Sequence, residues 1–532
     1  MNPLQRPNIL LILVDEQRAA RPYDPQLPLP AQARLRAQGL SLAQHYIAAT
    51  ACAPSRTSLF TGHYPSLHGV SQTDGMAKSA SDVTWLAPNT LPTLGHYLTA
   101  AGYQTHYRGK WHVSHADLLD ADGAVIPTND KAGNVLSVGV QAYEAADPLR
   151  PFGFSGWIGP EPHGADPANT GFVRDRLFAD QTVELLARLG AAKSSPEPPF
   201  FLVSSLVNPH DIAVYSQLWS TAWDFPWPDD RIPEIPPPPT AEEDLATKPR
   251  CQKDYVDKYW RMLMPQFTTD RYRRFYYWLQ ALVDQQIGRI LDALERAGLR
   301  ENTLVVFTSD HGDMLGAHGG MHQKWHNAYQ ETIHVPCIVS NPVLFPTAAE
   351  LSQLTSHIDL VPTLISLVGA DAGALQQTLG KTHSQVRPLV GRDLSPWLRG
   401  KAAPPASPTP EDACVYFMSD DQVSDGGSWF ELGALKLPYR PVIQPGYVES
   451  VIARLKGEPA MWKYSRYFDG KRGKQPDEYE LYCLTEDPLE QRNLIHEEFA
   501  TPQSEKARSR LDALLQRCRQ QRRLTENQGT VQ

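Results

Sequence analysis

The chain has 532 residues, 41% hydrophobic and 20% charged, with 46 prolines, 35 glycines and a net charge of -9. This length suits one large core with a smaller unit appended to it. The mild acidity and the lack of a basic stripe argue against nucleic acid or an anionic membrane as partner, although a single pocket can still be basic.

The N-terminal run Ile9 to Val14, ending in Asp15-Glu16, predicts a first buried strand. A signal peptide would need a longer apolar region and a small-residue cleavage site, and no stretch approaches the roughly 18 apolar residues of a membrane span. LPAQARLRAQG then predicts a helix with a glycine stop, and TLPTLGHYLTAAGYQTHYRGKWH a second helix followed by a strand. VRDRLFADQTVELLARLGA predicts another helix before the strand FFLVSSLV at 200–207, and a long helix at about 269–298 leads into the strand TLVVFTSD. VPCIVSN supplies one more strand. Apolar strands alternating with helices predict an α/β fold, a large and mostly parallel sheet covered by helices on both faces.

A proline-rich excursion is expected at 222–242 and a connector at 401–410, dividing an α/β unit at 1–400 from a smaller α+β unit at 411–532. The strand candidates CVYFM and KYSRYF and a charged helix at about 501–522 belong to the latter. Six cysteines at 52, 251, 337, 414, 483 and 518 form no CxxC pair and no compact disulfide spacing, which points to a reducing, cytoplasmic setting.

In open α/β sheets, sites form at the carboxyl ends of the strands. Three strand ends carry polar clusters: Asp15-Glu16, Asp310-His311 and Asn208-Pro209-His210-Asp211. Three carboxylates and an imidazole suit one divalent cation, and carboxylates cannot crowd together without a counter-ion or a raised pKa. Each pair alone has a plainer reading, an acid at a strand end or a histidine capping a turn.

The segment CAPSRTSLFTG at 52–62 resembles the signature of the type I sulfatases of the alkaline-phosphatase-like superfamily, C-x-P-S-R-x-x-L-x-T-G. GHYPSLHG follows it, GKWH lies at 109–112, and TSDHGDMLGAHG precedes Lys324. ELYCLTEDPLEQRNL at 480–494 completes the family's order along nearly the whole chain. The resemblance implies that a separate formylglycine-generating enzyme converts Cys52 to formylglycine. One hydroxyl of the aldehyde hydrate would attack sulfur, giving a covalent sulfated intermediate, and the other would lose its proton to expel sulfate. By the same resemblance Asp15, Glu16, Asp310 and His311 hold the cation, Arg56 orients the hydrate, and Lys110 and Lys324 hold the transferring group. His112 is implied as the base that collapses the intermediate, and His210 as the acid on the leaving group, with Lys324 its rival.

With neutral imidazoles, three carboxylates and a divalent ion leave about -1, and the three basic side chains bring the set to about +2, which favours a tetrahedral anion. His63, His68, His115, His318, His322 and His326 receive no role, and Trp325 is either packing or a wall for an aryl group.

Two departures bear on substrate and metal. The pair Asp310-His311 resembles choline sulfatases and phosphonate monoester hydrolases, whereas Glu16 keeps the charge of ordinary sulfatases. An all-oxygen shell suits calcium, and an imidazole makes manganese reasonable. His334 in IHVP and Cys483 in ELYCL replace the family's usual Arg and Asp without touching the proposed chemistry. The leading expectation is a sulfatase acting on a small, aryl sulfate monoester. Its competitors are a phosphonate monoester or phosphodiester hydrolase on the same site, and a non-catalytic anion-binding homologue. A homo-oligomer is compatible with the charged C-terminal helix.

Overall fold

All eight residues of β1 (Asn8–Asp15) are buried, and their alternation divides two cores. Ile9, Leu11 and Leu13 face one core with Phe60, Tyr107, Trp111 and Leu364. Leu10, Ile12 and Val14 face the other with Leu35, Phe178, Leu186, Ile287 and Leu291. A strand covered on both sides needs no polar face, which is why its sequence is an unbroken apolar run. The structure, a computed structural model, describes residues 6–74, 78, 83–162, 164, 166–191, 198–215, 232–262, 270–399, 414–422, 429–432, 435–438, 441–470 and 473–524.

The main sheet also contains β2 (Gly39–Tyr46), β3 (Gln104–Gly109), β4 (Phe200–Pro209), β5 (Thr303–Ser309), β6 (Cys337–Ser340) and β7 (Ala349–Ser356). Its order is β3-β4-β1-β5-β6-β2-β7. Strand β1 pairs in parallel with β4 and β5, β3 with β4, and β2 with β7. Only β6 runs against its neighbours, β5 and β2. The expected α/β sheet, mostly parallel and covered on both faces, is therefore present, with one reversed strand.

The expected helices appear as Pro30–Ala37, Leu94–Ala100, Gly171–Ala191 and Asp270–Arg296. Gly39 follows the C-cap Gln38 of the first helix, as a glycine stop should, and also opens β2, where a Cβ would meet the Leu35 carbonyl oxygen at 2.4 Å. Strands β2 and β7 were not foreseen. Both mix polar and half-exposed positions with buried ones, so neither carries the apolar run that marks β1.

The C-terminal unit holds β8 (Val415–Ser419), β9 (Trp429–Leu432), β10 (Leu435–Pro438), β11 (Tyr447–Arg454), β12 (Met461–Phe468) and β13 (Glu478–Cys483). Four of these form an antiparallel sheet in the order β13-β12-β11-β8, and β9 pairs with β10. One face of the larger sheet carries Tyr416, Met418, Val451, Tyr464 and Leu481 against Leu511, Leu514, Leu515 and Cys518 of the helix Pro502–Arg522. The other face, with Phe417, Val448, Ile452, Tyr467 and Tyr482, packs on Met314, Tyr329, Ile333 and Val335 of the main unit. The segment that carries Lys324 thus rests against the C-terminal sheet.

Of the proline-rich stretch, residues 232–242 are turns and irregular chain, and 222–231 lie outside the described residues. The connector at 401–410 also lies outside them. Among the described residues no single helix is long and apolar enough to cross a membrane.

Candidate active site

Parallel pairing brings Asp15 and Asp310 together. Val14 lies opposite Ser309 in the ladder, so the next residue of each strand emerges at the same sheet edge. The Asp310 N–H donates to the Val14 carbonyl at 3.2 Å, and the Glu16 N–H donates to Asp310 Oδ1 at 3.1 Å. Glu16 turns with φ +73°, a left-handed conformation uncommon outside glycine, and Tyr276 steadies it by donating to its carbonyl at 2.8 Å.

Cys52 opens a ten-residue helix, Cys52–Thr61, that is buried throughout. Four residues on, just over one turn and on the same face, Arg56 reaches the same point. Its Nε donates to Asp310 Oδ2 at 2.7 Å and its Nη2 to Asp15 Oδ2 at 3.0 Å. Its Nη1 donates to the Lys110 carbonyl at 2.9 Å and to Ser205 Oγ at 3.0 Å. The Cys-x-x-x-Arg spacing therefore sets a side chain at the helix N-terminus beside a guanidinium that ties β1, β5, β4 and the end of β3 together.

Lys110 Nζ pairs with Asp15 Oδ2 at 2.7 Å, and Lys324 Nζ with Glu16 Oε1 at 3.1 Å. Cys52 Sγ lies 3.0 Å from His311 Nε2 and 3.8 Å from Asp15 Oδ1. His311 Nδ1 lies 2.9 Å from the Gly312 carbonyl, which can only accept. Nδ1 therefore donates to that carbonyl, which leaves Nε2 facing Cys52 and the carboxylates. His311 Nε2 is 3.6 Å from Asp15 Oδ1 and 3.8 Å from Asp310 Oδ1.

Burial would raise Asp15, but Lys110, His210 and Arg56 outweigh it and hold the carboxyl well below its usual range. Glu16 is raised well above that range by burial, which Lys324 only partly opposes and Asp313 reinforces. Burial also pushes the Cys52 thiol up to about 12, with Asp15 adding to it. An unmodified Cys52 is therefore a neutral thiol near pH 7, a poor nucleophile. His210 falls well below its ordinary value through burial and the nearby Lys110.

Ligand atoms of Asp15, Cys52, Asp310 and His311 lie within 4.8 Å of one another, as do those of Asp15, Glu16 and His210. Glu16 Oε2 is buried without a hydrogen-bond partner, an arrangement that costs free energy unless something positive occupies the remaining coordination space. This donor set of carboxylate oxygens and one imidazole fits a divalent cation.

Nine of the ten residues singled out in the sequence, Asp15, Glu16, Cys52, Arg56, Lys110, His210, Asp310, His311 and Lys324, thus meet in one cluster, in which all but the half-buried His210 are buried. His112 lies two residues beyond Lys110, with φ +53° and its Nε2 2.7 Å from Asp74 Oδ1. Its N–H and that of Trp111 both donate to Glu161 Oε1, at 3.0 and 2.8 Å.

Several supporting residues escaped the sequence reading. Asp313 accepts from the backbone of Leu315 at 2.6 Å and of Gln323 at 3.1 Å, fixing the chain that delivers Lys324. Asp421, from the C-terminal unit, accepts from the N–H groups of Ala51 and Thr73, each at 3.0 Å, and pairs with Lys78. The residue before Cys52 is thereby anchored to a chain segment 370 positions away. Asp313 was visible in the quoted DHGD run; nothing in the local sequence marks Asp421, Asp74 or Glu161.

A second buried ionic cluster lies between the main unit and the C-terminal sheet. His318 Nδ1 meets Glu243 Oε2 at 2.7 Å, and Lys248 meets Glu243 Oε1 at 3.0 Å. Arg21 pairs with Glu331 at 3.2 Å, and Lys463 pairs with Glu490. The His318 ring stacks on Tyr329 at 3.7 Å.

A family model described as Sulfatase matches residues 7–370. The chain is 28% identical to an uncharacterised sulfatase, YidJ, of Escherichia coli strain K12, over 68% of each chain. It is 27% identical to a choline-sulfatase of Rhizobium meliloti strain 1021, again over 68% of each. The fold is similar to that of a phosphonate monoester hydrolase of Agrobacterium radiobacter, with TM-score 0.60, 18% identity and 96% of each chain covered.

Proposed function

The chain belongs to the sulfatase family, and on that premise we propose that it hydrolyses a small sulfate monoester, an aryl ester foremost, to an alcohol and sulfate. The observation that carries the reading is Cys52 at a helix N-terminus, enclosed by three carboxylates, an imidazole and the cations of Arg56, Lys110 and Lys324. The finer part of the reading is that a maturing enzyme converts Cys52 to formylglycine. The high thiol pKa supports it, because a neutral buried thiol is unsuited to attack and an aldehyde hydrate supplies an oxygen nucleophile.

In this scheme Asp15, Glu16, Asp310 and His311 hold one divalent cation, with calcium or manganese the fitting choices. Such an ion supplies Lewis-acid polarisation of a sulfuryl oxygen and acidifies the attacking hydroxyl. Arg56, locked by Asp15 and Asp310, holds the hydrate of residue 52 in line. Lys110 and Lys324 neutralise charge on the sulfuryl oxygens as the leaving-group bond breaks. Sulfur is then bonded to one hydrate oxygen; deprotonation of the other by His112 re-forms the aldehyde and releases sulfate. His210, once the arriving anion offsets the burial and the Lys110 charge that keep it neutral, or Lys324 in its place, donates a proton to the departing alcohol. Asp74 gives His112 a partner for the proton it gains.

A phosphonate monoester or phosphodiester hydrolase is the second reading, favoured by His311 among the ligand atoms. Matched kcat/KM values on 4-nitrophenyl sulfate and 4-nitrophenyl phenylphosphonate separate the two, using protein co-expressed with a formylglycine-generating enzyme and checked by peptide mass at residue 52. Preference for the sulfate by about 10²-fold or more is expected. The reverse preference would replace sulfate with phosphonate in the proposal, and no turnover of either by converted protein would overturn it.

A further inference from the structure

Cys414 and Cys518 stand 104 positions apart in sequence, yet their sulfurs are 3.1 Å from one another. Cys414 immediately precedes β8, and Cys518 lies near the end of the helix Pro502–Arg522. Both are buried, 1% and 2% exposed, within the core that joins helix and sheet. Arg522 donates to the Cys414 carbonyl at 3.0 Å, so the last turn of the helix is held against the start of the strand from a second side. The two thiols share a hydrogen bond in which either sulfur can donate, and with Cys518 and the Arg522 guanidinium beside it the Cys414 thiol is drawn below its ordinary range. A sulfur favoured as thiolate, facing a second sulfur with no intervening group, is the arrangement that thiol–disulfide exchange requires.

We propose that Cys414 and Cys518 are a covalent modification site, joined as a disulfide by a small-molecule disulfide oxidant such as oxidised glutathione. The Cys414 thiolate attacks one glutathione sulfur, breaking its S–S bond and releasing one glutathione thiolate. The Cys518 thiolate then attacks the Cys414 sulfur of the mixed disulfide and releases the second. The two cysteines lose two electrons and two protons, and one oxidised glutathione becomes two reduced ones. Because the pair is buried, the first step takes place when the C-terminal helix opens locally or before it docks during folding. The product ties the last helix to β8, which leads to Asp421 and the anchor of Ala51. The cysteine spacing pointed to a reducing setting, but spacing is silent about partners that folding alone brings together.

The test uses the full-length protein, incubated with oxidised or with reduced glutathione and digested without reductant. A crosslinked peptide pair containing Cys414 and Cys518 is expected, with two fewer free thiols per chain and a Tm higher by about 3 °C. The Cys518→Ala variant should lose both the thiol pairing and the Tm response. Glutathione adducts on either cysteine without the crosslink, a crosslink to another cysteine, or an unchanged thiol count in the wild-type protein would each overturn the proposal. The wild-type peptide map decides the matter even if the variant does not fold.

Discussion

Two buried ionic clusters share the chain between Asp310 and Glu331, and they dispose of their carboxylates differently. In the first, Asp15, Asp310 and His311 turn ligand atoms toward Cys52, while Glu16 Oε2 has no hydrogen-bond partner. In the second, Glu243, Glu331 and Glu490 are matched by Lys248, Arg21 and Lys463, and tyrosine rings close around them. Both clusters remove charge from water, which is expensive for each. The first keeps unbalanced donors that a cation and an anionic substrate can use. In the second, Glu243, Glu331 and Glu490 are each balanced by a cation before His318 is counted, and the cluster welds residues 243–248 and 318–331 to the C-terminal sheet. Burial of charge by itself does not identify an active site, and neither do unsatisfied atoms: Glu243 Oε1, Glu331 Oε2 and Glu490 Oε1 also lack hydrogen-bond partners, but each faces Lys248, His318 or Lys463 as an ion pair, whereas Glu16 Oε2 faces none among the described residues.

Substitutions should separate the two clusters cleanly. Cys52→Ala is expected to remove turnover by about 10⁵-fold or more while leaving Tm within about 2 °C, measured by steady-state kinetics and calorimetry on the same preparation. A retained rate would dissolve the distinction. Dialysis against a chelator should lower kcat by at least about 10²-fold and lower Tm modestly, with both restored by manganese or calcium.

Lys463→Met acts on the other side of the comparison. It leaves Glu490 buried without its cation and should cost about 3–5 kcal/mol in denaturant unfolding, yet hold kcat within about threefold in the folded fraction. Loss of kcat at full stability would show that the weld takes part in catalysis.

The smallest effect concerns pH. Burial would lower the His318 pKa, but Glu243 and Glu331 raise it above its ordinary value, and the ring also faces Tyr329 and Glu490. A group whose folded pKa is raised contributes stability that is complete below about pH 6.5 and lost as pH climbs through the folded pKa. Wild-type protein should therefore lose about 1 kcal/mol or less through that window relative to His318→Gln, read from denaturant midpoints at several pH values.

Much of this was legible in the chain itself. The run NILLILV announced a strand buried on both faces because no polar residue interrupts it. The Cys52–Arg56 spacing is a helical spacing, so its meaning is local. Asp15, Asp310 and His210 were found because chemistry gathers at the carboxyl ends of parallel strands. Strands β2 and β7 were missed because half-exposed strands share the composition of loops.

What the sequence by itself determined were the elements and motifs whose signal lies within one helix or strand, together with the family those motifs resemble. The tertiary structure alone decided the reversed direction of β6, the Asp421 anchor on Ala51, the Asp74–His112 pair, the approach of Cys414 to Cys518 and the closure of the second ionic cluster. Each of these joins residues far apart in the chain, or across a ladder whose direction no local periodicity encodes. Hydrophobic patterning says which face of an element is buried, but not which partner buries it.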